Sequence, residues 1–537
     1  VRLRPAGDDA VLVECASAAE AVALHRSLTD RPVAGVGPTV PGASTLLVVH
    51  DPARVDRTAL EGLLAARLGA HGPAADTGPP RTLDLPVVYD GTDLADVADL
   101  LGTSVEEVVR RHTEAVWTVA FMGFAPGFGY LTGTDAGLVV PRRDVPRTRV
   151  PAGSVALAGA YSGVYPREGP GGWQLLGRTG AVLWDLDRDP PVAWAPGDRV
   201  RFRAVRDVVR TVPARDGTDG VAPARTPAPD GAPGRAAVEV VDPGTHSLLQ
   251  DLGRPGLADL GVGASGAADP RSLRAALRAV GTRPDDAAVE THGGLRLRAR
   301  GTLVVAVTGA AVPVTVRSPD GRDRPVPWAH AVRLADGDDL VVGAVERGLS
   351  VYVAVRGGLA ATPVLGSRST DLLGGIGPAP LAVGAVLPVG PPPGGAVAAD
   401  DGGAPDPGAL PAPGDVVRLP VTLGPRDDWF TAAALRRLLT QEWEVTALAD
   451  RVGTRLRGAV PLDRRPEAVG RELPSEGVGT GGVQVPPGGQ PLLFGPDHPQ
   501  TGGYPVVAVV AASHRWLLGQ LPEGARLHFD APPDDPA

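Results

Sequence analysis

Three stretches of the first half combine residue types and spacings suited to chemistry. The run Phe121–Leu131, FMGFAPGFGYL, interleaves Phe121, Phe124, Phe128 and Tyr130 with glycine and proline. Glycine lets backbone approach a ligand or partner closely, and aromatic rings make flat walls. A buried turn with a core aromatic cluster has the same composition. The run Pro141–Ser154, PRRDVPRTRVPAGS, sets Arg142, Arg143, Arg147 and Arg149 among prolines. Guanidinium groups on a stiff extended segment suit a carboxylate or phosphate; a solvated arginine face is the alternative. The run Tyr165–Thr179, YPREGPGGWQLLGRT, adds a Gly-Gly turn, Trp173, and Arg178 beside Thr179.

The absences are as informative. The 537 residues include no lysine and no asparagine, so every basic residue besides histidine is arginine. A Walker-type lysine, a Schiff base and a biotinylated lysine are excluded on this chain. Any phosphate bound here is held by arginines, backbone N–H groups or metal. Cys15 is the single cysteine, which excludes an intrachain disulfide and a cysteine-rich zinc site and points to a reducing, cytoplasmic compartment. A net charge of -9 argues against a nucleic-acid partner. No apolar run reaches the ~18–20 residues that span a bilayer, and no signal-type segment opens the chain, so no membrane role is expected.

These motifs need elements to hold them. The 72 glycines and 57 prolines favour short strands and turns over long helices. Residues 1–80 read as a small α/β domain, with strands at Ala10–Glu14 and Ser44–His50 and amphipathic helices at Ala18–Leu28 and Thr58–Leu68. Residues 81–206 read as a β-barrel with strands at Leu85–Tyr89, Gly180–Leu186 and Arg199–Ala204. Helices are expected at Asp93–Leu101 and Ser104–Glu114, the second opened by a Ser104/Glu107 capping box. Residues 207–236 read as a linker. A second body, 237–530, carries a helix at Leu273–Val280, strands within Leu303–Val316, at Leu340–Val345 and at Ser350–Arg356, and a helix at Trp429–Leu439. Its last strands fall near Val506–Ala511 and Ala525–Phe529, and a low-complexity excursion occupies 388–414. No solenoid-type repeat is visible.

Taken together, GF-x-PGF-x-YL, PRR-x-x-PRTRVPAGSV and YP-x-x-x-PGGWQLLGRT resemble the B subunit of prokaryotic 5-oxoprolinase, also called allophanate hydrolase subunit 1. The second half carries LQDLGR (Leu249–Arg254), SGAAD (Ser265–Asp269), GSRST (Gly366–Thr370), DRVGTRL (Asp450–Leu456), Ser475-Glu476-Gly477 and DHPQTGGYP (Asp497–Pro505). That series resembles the C subunit of the same enzyme, allophanate hydrolase subunit 2. The resemblance implies a β-rich α+β fold: two cyclophilin-like β-barrel modules plus a small N-terminal α/β domain. It also implies a hydrolase that uses ATP, with magnesium, to open 5-oxoproline to glutamate together with a separate 5-oxoprolinase A subunit. On this reading the two halves build one active site for a small lactam or amide. Asp497, His498 and Tyr504, in the densest glycine-rich motif, are the candidate acids or bases. Arg142, Arg143, Arg147, Arg149, Arg178, Phe128, Tyr130, Gln250, Asp251, Asp269 and Glu476 are the candidate substrate or phosphate contacts; Asp251 and Asp269 fit loop-holding roles equally well.

One departure from the family pattern stands out. A helix reading A-N-x-L-V-G-N usually follows the SGA-x-D motif, and here Leu277 and Thr282 stand where its asparagines would be. Two rival functions remain open. The same modules occur in urea carboxylase, where they transfer a carboxyl group from biotin to urea, with the C-like module first. The B-like half also resembles inhibitors of a histidine kinase.

Overall fold

Alternating apolar residues and short turns dictate most of the architecture. The computed structural model describes residues 2–69, 81–143, 145, 147–207, 236–397 and 403–531. Strands β1 (Arg2–Pro5), β2 (Ala10–Glu14), β3 (Val36–Pro41) and β4 (Thr45–His50) form an antiparallel sheet of order β1-β2-β4-β3. Helices α1 (Ala18–Asp30) and α2 (Arg57–Gly69) bury Leu24, Leu28, Leu60 and Leu64 against Val11, Val13, Leu46 and Val48. Ser17 starts α1 by accepting the Glu20 N–H at 3.2 Å.

The next strands close on themselves. They are β5 (Thr82–Val87), β6 (Trp117–Met122), β7 (Gly129–Gly133), β8 (Arg147–Val150), β9 (Ser154–Ala158), β10 (Tyr161–Val164), β11 (Gly169–Gly171), β12 (Gln174–Arg178) and β13 (Arg199–Ala204). Between β5 and β6 lie α3 (Leu94–Leu101) and α4 (Val105–Glu114), and Ser104 caps α4 through the Glu107 N–H at 3.2 Å. The order β5-β13-β6-β7-β10-β9-β12 is completed where Val88 and Arg178 exchange two backbone hydrogen bonds of 2.9 Å. That exchange ties β12 back to the end of β5 and leaves no open edge. β8 and β11 form a side ribbon. Gly180–Leu186, expected as a strand, makes a single bridge, Trp184 to Val192. The facing chain begins with Pro190 and Pro191, which have no N–H to extend a ladder.

A two-sheet body follows. Its strands are β14 (Ala237–Pro243), β15 (Ser247–Gln250), β16 (Ala288–Thr291), β17 (Leu295–Arg300), β18 (Leu303–Ala311), β19 (Val314–Arg317), β20 (Asp323–Pro325), β21 (Val332–Leu334), β22 (Asp339–Val342), β23 (Arg347–Val355) and β24 (Val386–Pro388). One sheet has the order β20-β19-β22-β17-β14-β24 and the other β15-β16-β23-β18-β21. Their inner faces bury Val240, Leu297, Val305, Val316, Leu340 and Val353. Helix α5 (Pro270–Ala279) packs Leu273, Ala276 and Leu277 onto Ala306, Tyr352 and Ala354.

The last body is a second barrel: β25 (Val416–Leu423), α6 (Ala432–Thr440), β26 (Trp443–Val445), β27 (Gly453–Arg457), β28 (Glu476–Gly477), β29 (Gly482–Gln484), β30 (Leu492–Phe494), β31 (Thr501–Gly502), β32 (Val506–Val510) and β33 (Arg526–Asp530). Its closed order, β25-β33-β26-β27-β30-β29-β32, matches the first barrel strand for strand. The first and last strands run parallel in both, and β28–β31 repeats the side ribbon β8–β11. Even the helix-to-strand joint repeats. The indole N–H of Trp117 donates to the His112 carbonyl at 3.0 Å, and that of Trp443 to the Leu438 carbonyl at 3.1 Å, each five residues back.

The fold is thus the β-rich α+β architecture expected, with barrel modules in both halves and a small N-terminal α/β domain. Of the 207–236 linker, residues 208–235 lie outside the described residues, as do 398–402 within the 388–414 excursion. Among the described residues no helix is long and apolar enough to cross a membrane.

Candidate functional site

The equivalent rims of the two barrels face each other. In the first, Gly171-Gly172-Trp173 leads into β12; in the second, Gly502-Gly503-Tyr504 leads to β32. Both triplets line one cavity of about 210 Å³, with Phe124, Phe128, Tyr130, Arg142 and Arg143 completing much of its wall. The Asp497–Tyr504 segment is also a wall of two other hollows. One, about 240 Å³ and mostly apolar, lies against Val40 and Leu47 of the N-terminal domain and is reached by His498 and Gln500. The other, about 10 Å³, is a cleft where Phe124 meets Asp371, Asp497 and His498.

The aromatic wall is built by the turn between β6 and β7. Phe121 stacks on Tyr130 with ring centres 4.3 Å apart, and Phe128 sits edge-on to Tyr130, Tyr165 and Trp173. Phe124 adopts a φ of 63°, a left-handed conformation that a bulky side chain rarely takes. Its N–H donates to Thr501 Oγ1 at 3.1 Å, and the Tyr130 hydroxyl lies 3.3 Å from the same oxygen. A Cβ on Gly123 would stand 2.5 Å from that oxygen, so glycine is needed for the halves to close here. Ser265, also at positive φ, donates to Asp497 at 2.6 Å. Two strained residues therefore flank one segment, a pattern typical of working sites.

Two arginines supply positive charge to the 210 Å³ cavity. Arg142 spans the halves: its N–H donates to Glu472 at 2.6 Å, and its guanidinium to Ser475 Oγ at 3.1 Å and the Gly503 carbonyl at 3.4 Å. Arg143 donates to Asp93 at 2.9 Å, while its buried Nε has no partner. Arg147 stands behind, on the same Asp93 oxygen at 2.6 Å, with Nη1 unpartnered. Asp93 also accepts the Leu175 N–H at 2.7 Å, so one buried carboxylate orients both guanidiniums. Among the described residues no group of three or more His, Cys, Asp or Glu is placed to hold a metal.

On the second-half side, Asp497 is 2% exposed and saturated. Arg451 donates to its two oxygens at 2.9 Å each, and Ser265 adds a third bond. Arg451 also pairs with Glu290, whose other oxygen accepts the Tyr352 hydroxyl at 2.7 Å. His498 places Nδ1 2.8 Å from the Pro499 carbonyl oxygen, and burial holds its pKa below the usual value, leaving the ring neutral at pH 7. Tyr504 lines the 210 Å³ cavity.

Comparison with known proteins gives this geometry its setting. Residues 1–194 match the family model "Carboxyltransferase domain, subdomain C and D", and residues 260–531 match "Carboxyltransferase domain, subdomain A and B". The 5-oxoprolinase B subunit of Escherichia coli O157:H7 is 41% identical over 183 residues, 33% of this chain and 82% of that protein. The 5-oxoprolinase C subunit of Escherichia coli K12 is 31% identical over 296 residues, 54% of this chain and 90% of that protein. The chain belongs to the carboxyltransferase-domain family. It is a fusion whose halves match the B and C subunits of 5-oxoprolinase in turn. The crystal structure of TTHA0988 superposes with a TM-score of 0.81 at 33% identity, covering 97% of this chain and 99% of that one. A carboxyltransferase-type, amide-processing role follows from these relationships.

Within this carboxyltransferase-family fusion, the residues singled out from sequence divide. Phe128, Tyr130, Arg142, Arg143, Asp497, His498 and Tyr504 line the cavities at the junction, and Arg147 backs them. Arg149 and Arg178 do not; they are exposed and paired with Glu168 at 2.7 Å and Asp90 at 2.9 Å. Gln250 donates to the Thr370 carbonyl at 2.9 Å, and Asp251 holds the Ser367 and Ser369 hydroxyls at 2.6 Å each. Asp269 caps α5 through the Arg271 and Ser272 N–H groups, both at 3.0 Å, and burial raises its pKa. Glu476 pairs with Arg426, which reaches Glu14 of the N-terminal domain at 2.9 Å. Leu277 is a core residue of α5, and the Thr282 hydroxyl donates to Asp286 at 2.7 Å, so the two missing family asparagines leave no gap at the junction. Sequence reading passed over Asp93, Arg254 and Asp371. Asp371 stands one residue after GSRST, and that adjacency was its available signal.

Proposed function

We propose that this chain is the B–C component of a 5-oxoprolinase, opening a small cyclic amide that carries a carboxylate. The cavity between the barrels is the observation that supports this most. Phe128, Tyr130, Trp173 and Tyr504 offer flat walls to a ring, and Arg143 brings a guanidinium to the wall that suits a carboxylate. At about 210 Å³ it holds a small ring, whereas drug-sized ligands occupy ~300–1,000 Å³. A whole nucleotide does not fit in this cavity; ATP and its magnesium are assigned to an A-type partner protein on the family resemblance alone. ATP supplies a phosphoryl group that turns the lactam oxygen into a better leaving group. This chain's own residues bind the carboxylate, orient the ring and exclude water from its faces. The 5-oxoprolinase components among the relatives favour this substrate.

The test is release of ADP and glutamate from ATP and 5-oxoproline, with the full chain alone, with the A-type partner alone, and with both. Turnover that needs both proteins is the expected result. No turnover with both sinks the reading. The family's description as a carboxyltransferase domain favours one second reading, carboxyl transfer to an amide nitrogen. It requires a separate biotin carrier, since this chain has no lysine to carry one. Carboxylation of an amide in the presence of such a carrier would establish it.

A further inference from the structure

The cleft beside the 210 Å³ cavity holds a carboxylate that the site as described leaves unused. Asp371 is 4% exposed and lies in a tight hairpin, its N–H donating to the Ile376 carbonyl at 2.9 Å. One carboxylate oxygen, Oδ1, accepts the Gly374 N–H at 2.7 Å. The other, Oδ2, has no hydrogen-bond partner among the described residues, and Asp371 lines the cleft. Asp497, across the cleft, has both oxygens engaged by Arg451. Of the two carboxylates, Asp371 alone has a free oxygen to offer.

Its surroundings are polar and drawn from three parts of the chain. Arg254 is 3% exposed, donates from Nη2 to the Ser369 carbonyl, and keeps Nε and Nη1 without partners; Asp371 is the carboxylate acting on it most strongly. Arg167 comes from the first half, its guanidinium lying where a Cβ on Gly375 would stand. Arg451, Asp497 and His498 complete the charged and titratable groups around Asp371. The cleft, at about 10 Å³, is close to the smallest space that holds one water. Phe124, with its left-handed backbone, and Pro499 line both the cleft and the 210 Å³ cavity.

We propose that Asp371 is a catalytic proton-transfer residue of this site, serving the water that attacks a cyclic amide held in the neighbouring cavity. The assignment rests on the amide-opening reading above. With the lactam oxygen carrying the phosphoryl group from ATP, the Asp371 carboxylate takes a proton from water as the water oxygen bonds to the lactam carbon and the C=N pair of the activated lactam moves onto nitrogen. The C–N bond then breaks with its pair on nitrogen, the proton passes from Asp371 to that nitrogen, and the new hydroxyl gives its proton to solvent as it becomes the C=O of an acyl phosphate. Water cleaves the acyl phosphate, so the products are a carboxylic acid, inorganic phosphate and an amine, and Asp371 returns to its starting state. Burial, then repulsion from Asp497, raises the Asp371 pKa to about 6, near the range where a group both takes and returns a proton at neutral pH.

The experiment uses the full chain with the A-type partner and compares wild type with Asp371→Asn and Asp371→Glu. Asp371→Asn is expected to lower kcat about 100-fold or more, with KM within about threefold. Wild-type kcat is expected to fall below a midpoint near pH 6. Asp371→Glu is expected to restore part of kcat with a shifted acid limb, which a merely structural role would not produce. Wild-type turnover with kcat unchanged in Asp371→Asn overturns this assignment and leaves the function intact. Absence of wild-type turnover overturns both. Should Asp371→Asn not fold, the other two results decide: a flat wild-type profile from pH 5 to 8, or an Asp371→Glu profile superimposable on it, overturns the assignment.

Discussion

The two barrels share their strand order, parallel closing pair, side ribbon and tryptophan joint, yet the rims that meet between them are built from opposite chemistry. The first barrel's rim is a cluster of rings, Phe121, Phe124, Phe128, Tyr130, Tyr165 and Trp173, with two arginines at its edge. The second barrel's rim is tied by buried charge: Asp497 to Arg451, Arg451 to Glu290, Glu290 to Tyr352. The shared wiring sets where the rims stand, and the side chains on those rims set what each can do. One rim is a wall of rings; the other is tied by buried ion pairs, and its glycine-rich loop lines three hollows at once.

The sharpest way to break that contrast is at Arg451. Arg451→Ala leaves Asp497 and Glu290 buried and unpaired, and a loss of about 3–5 kcal/mol in denaturant unfolding is expected. Arg142→Ala, at the first rim and partly exposed, is expected to cost less than about 1 kcal/mol in the same measurement. Equal losses would mean the rims are not held differently.

Asp371 sharpens the comparison in the other direction, since burial opposes its charge. Its folded pKa, about 6, lies above the unfolded value near 3.9, so it favours folding fully below about pH 4 and that contribution fades as pH rises through 6. Asp371→Asn should therefore stabilise the protein at pH 7.5 by roughly 1–3 kcal/mol and have little effect at pH 4. Unfolding midpoints at the two pH values check the sign.

A smaller effect belongs to the first rim. Arg143→Ala removes the guanidinium from the cavity wall, and on the proposed function KM for the lactam is expected to rise about tenfold, with kcat nearly unchanged. Steady-state kinetics with the A-type partner measure it. The smallest effects concern the shared wiring. Trp117→Phe and Trp443→Phe each remove one buried indole hydrogen bond and should cost about 1–2 kcal/mol apiece, and by similar amounts. Clearly unequal losses would show that the joint is equivalent in shape only.

Much of the fold was legible. Ser104 announces its helix, apolar runs mark β2, β4 and β23, and alternation marks β33, because capping and burial act over a few residues. The repeat was not. Its halves share a path of strands, and the sequences facing the cavity, GGW and GGY, agree in two glycines and an aromatic amid unrelated neighbours. The candidate site was half legible. Arg142, Arg143, Phe128 and Tyr504 sit in dense motifs and line the cavity. Asp497 was legible as important, yet its engagement depends on Arg451 and Ser265, the latter 232 residues away. Asp371 escaped because its value lies in a free oxygen, and only the placement of Gly374, Arg254 and Arg167 around it makes that visible.

The parallel pairing of first and last strands also has a genetic consequence. In each barrel the chain enters and leaves along neighbouring strands, β5 beside β13 and β25 beside β33. Each barrel is therefore a cassette whose two ends stay together, the arrangement that tolerates insertion and rearrangement best. Such cassettes can be encoded as separate chains, fused, or fused in the reverse order, provided the second travels with the two-sheet body whose Ser265, Glu290 and Tyr352 tie its rim. What has to survive any reshuffling is the handshake between Phe124 and Thr501, for there the two coding segments become one enzyme.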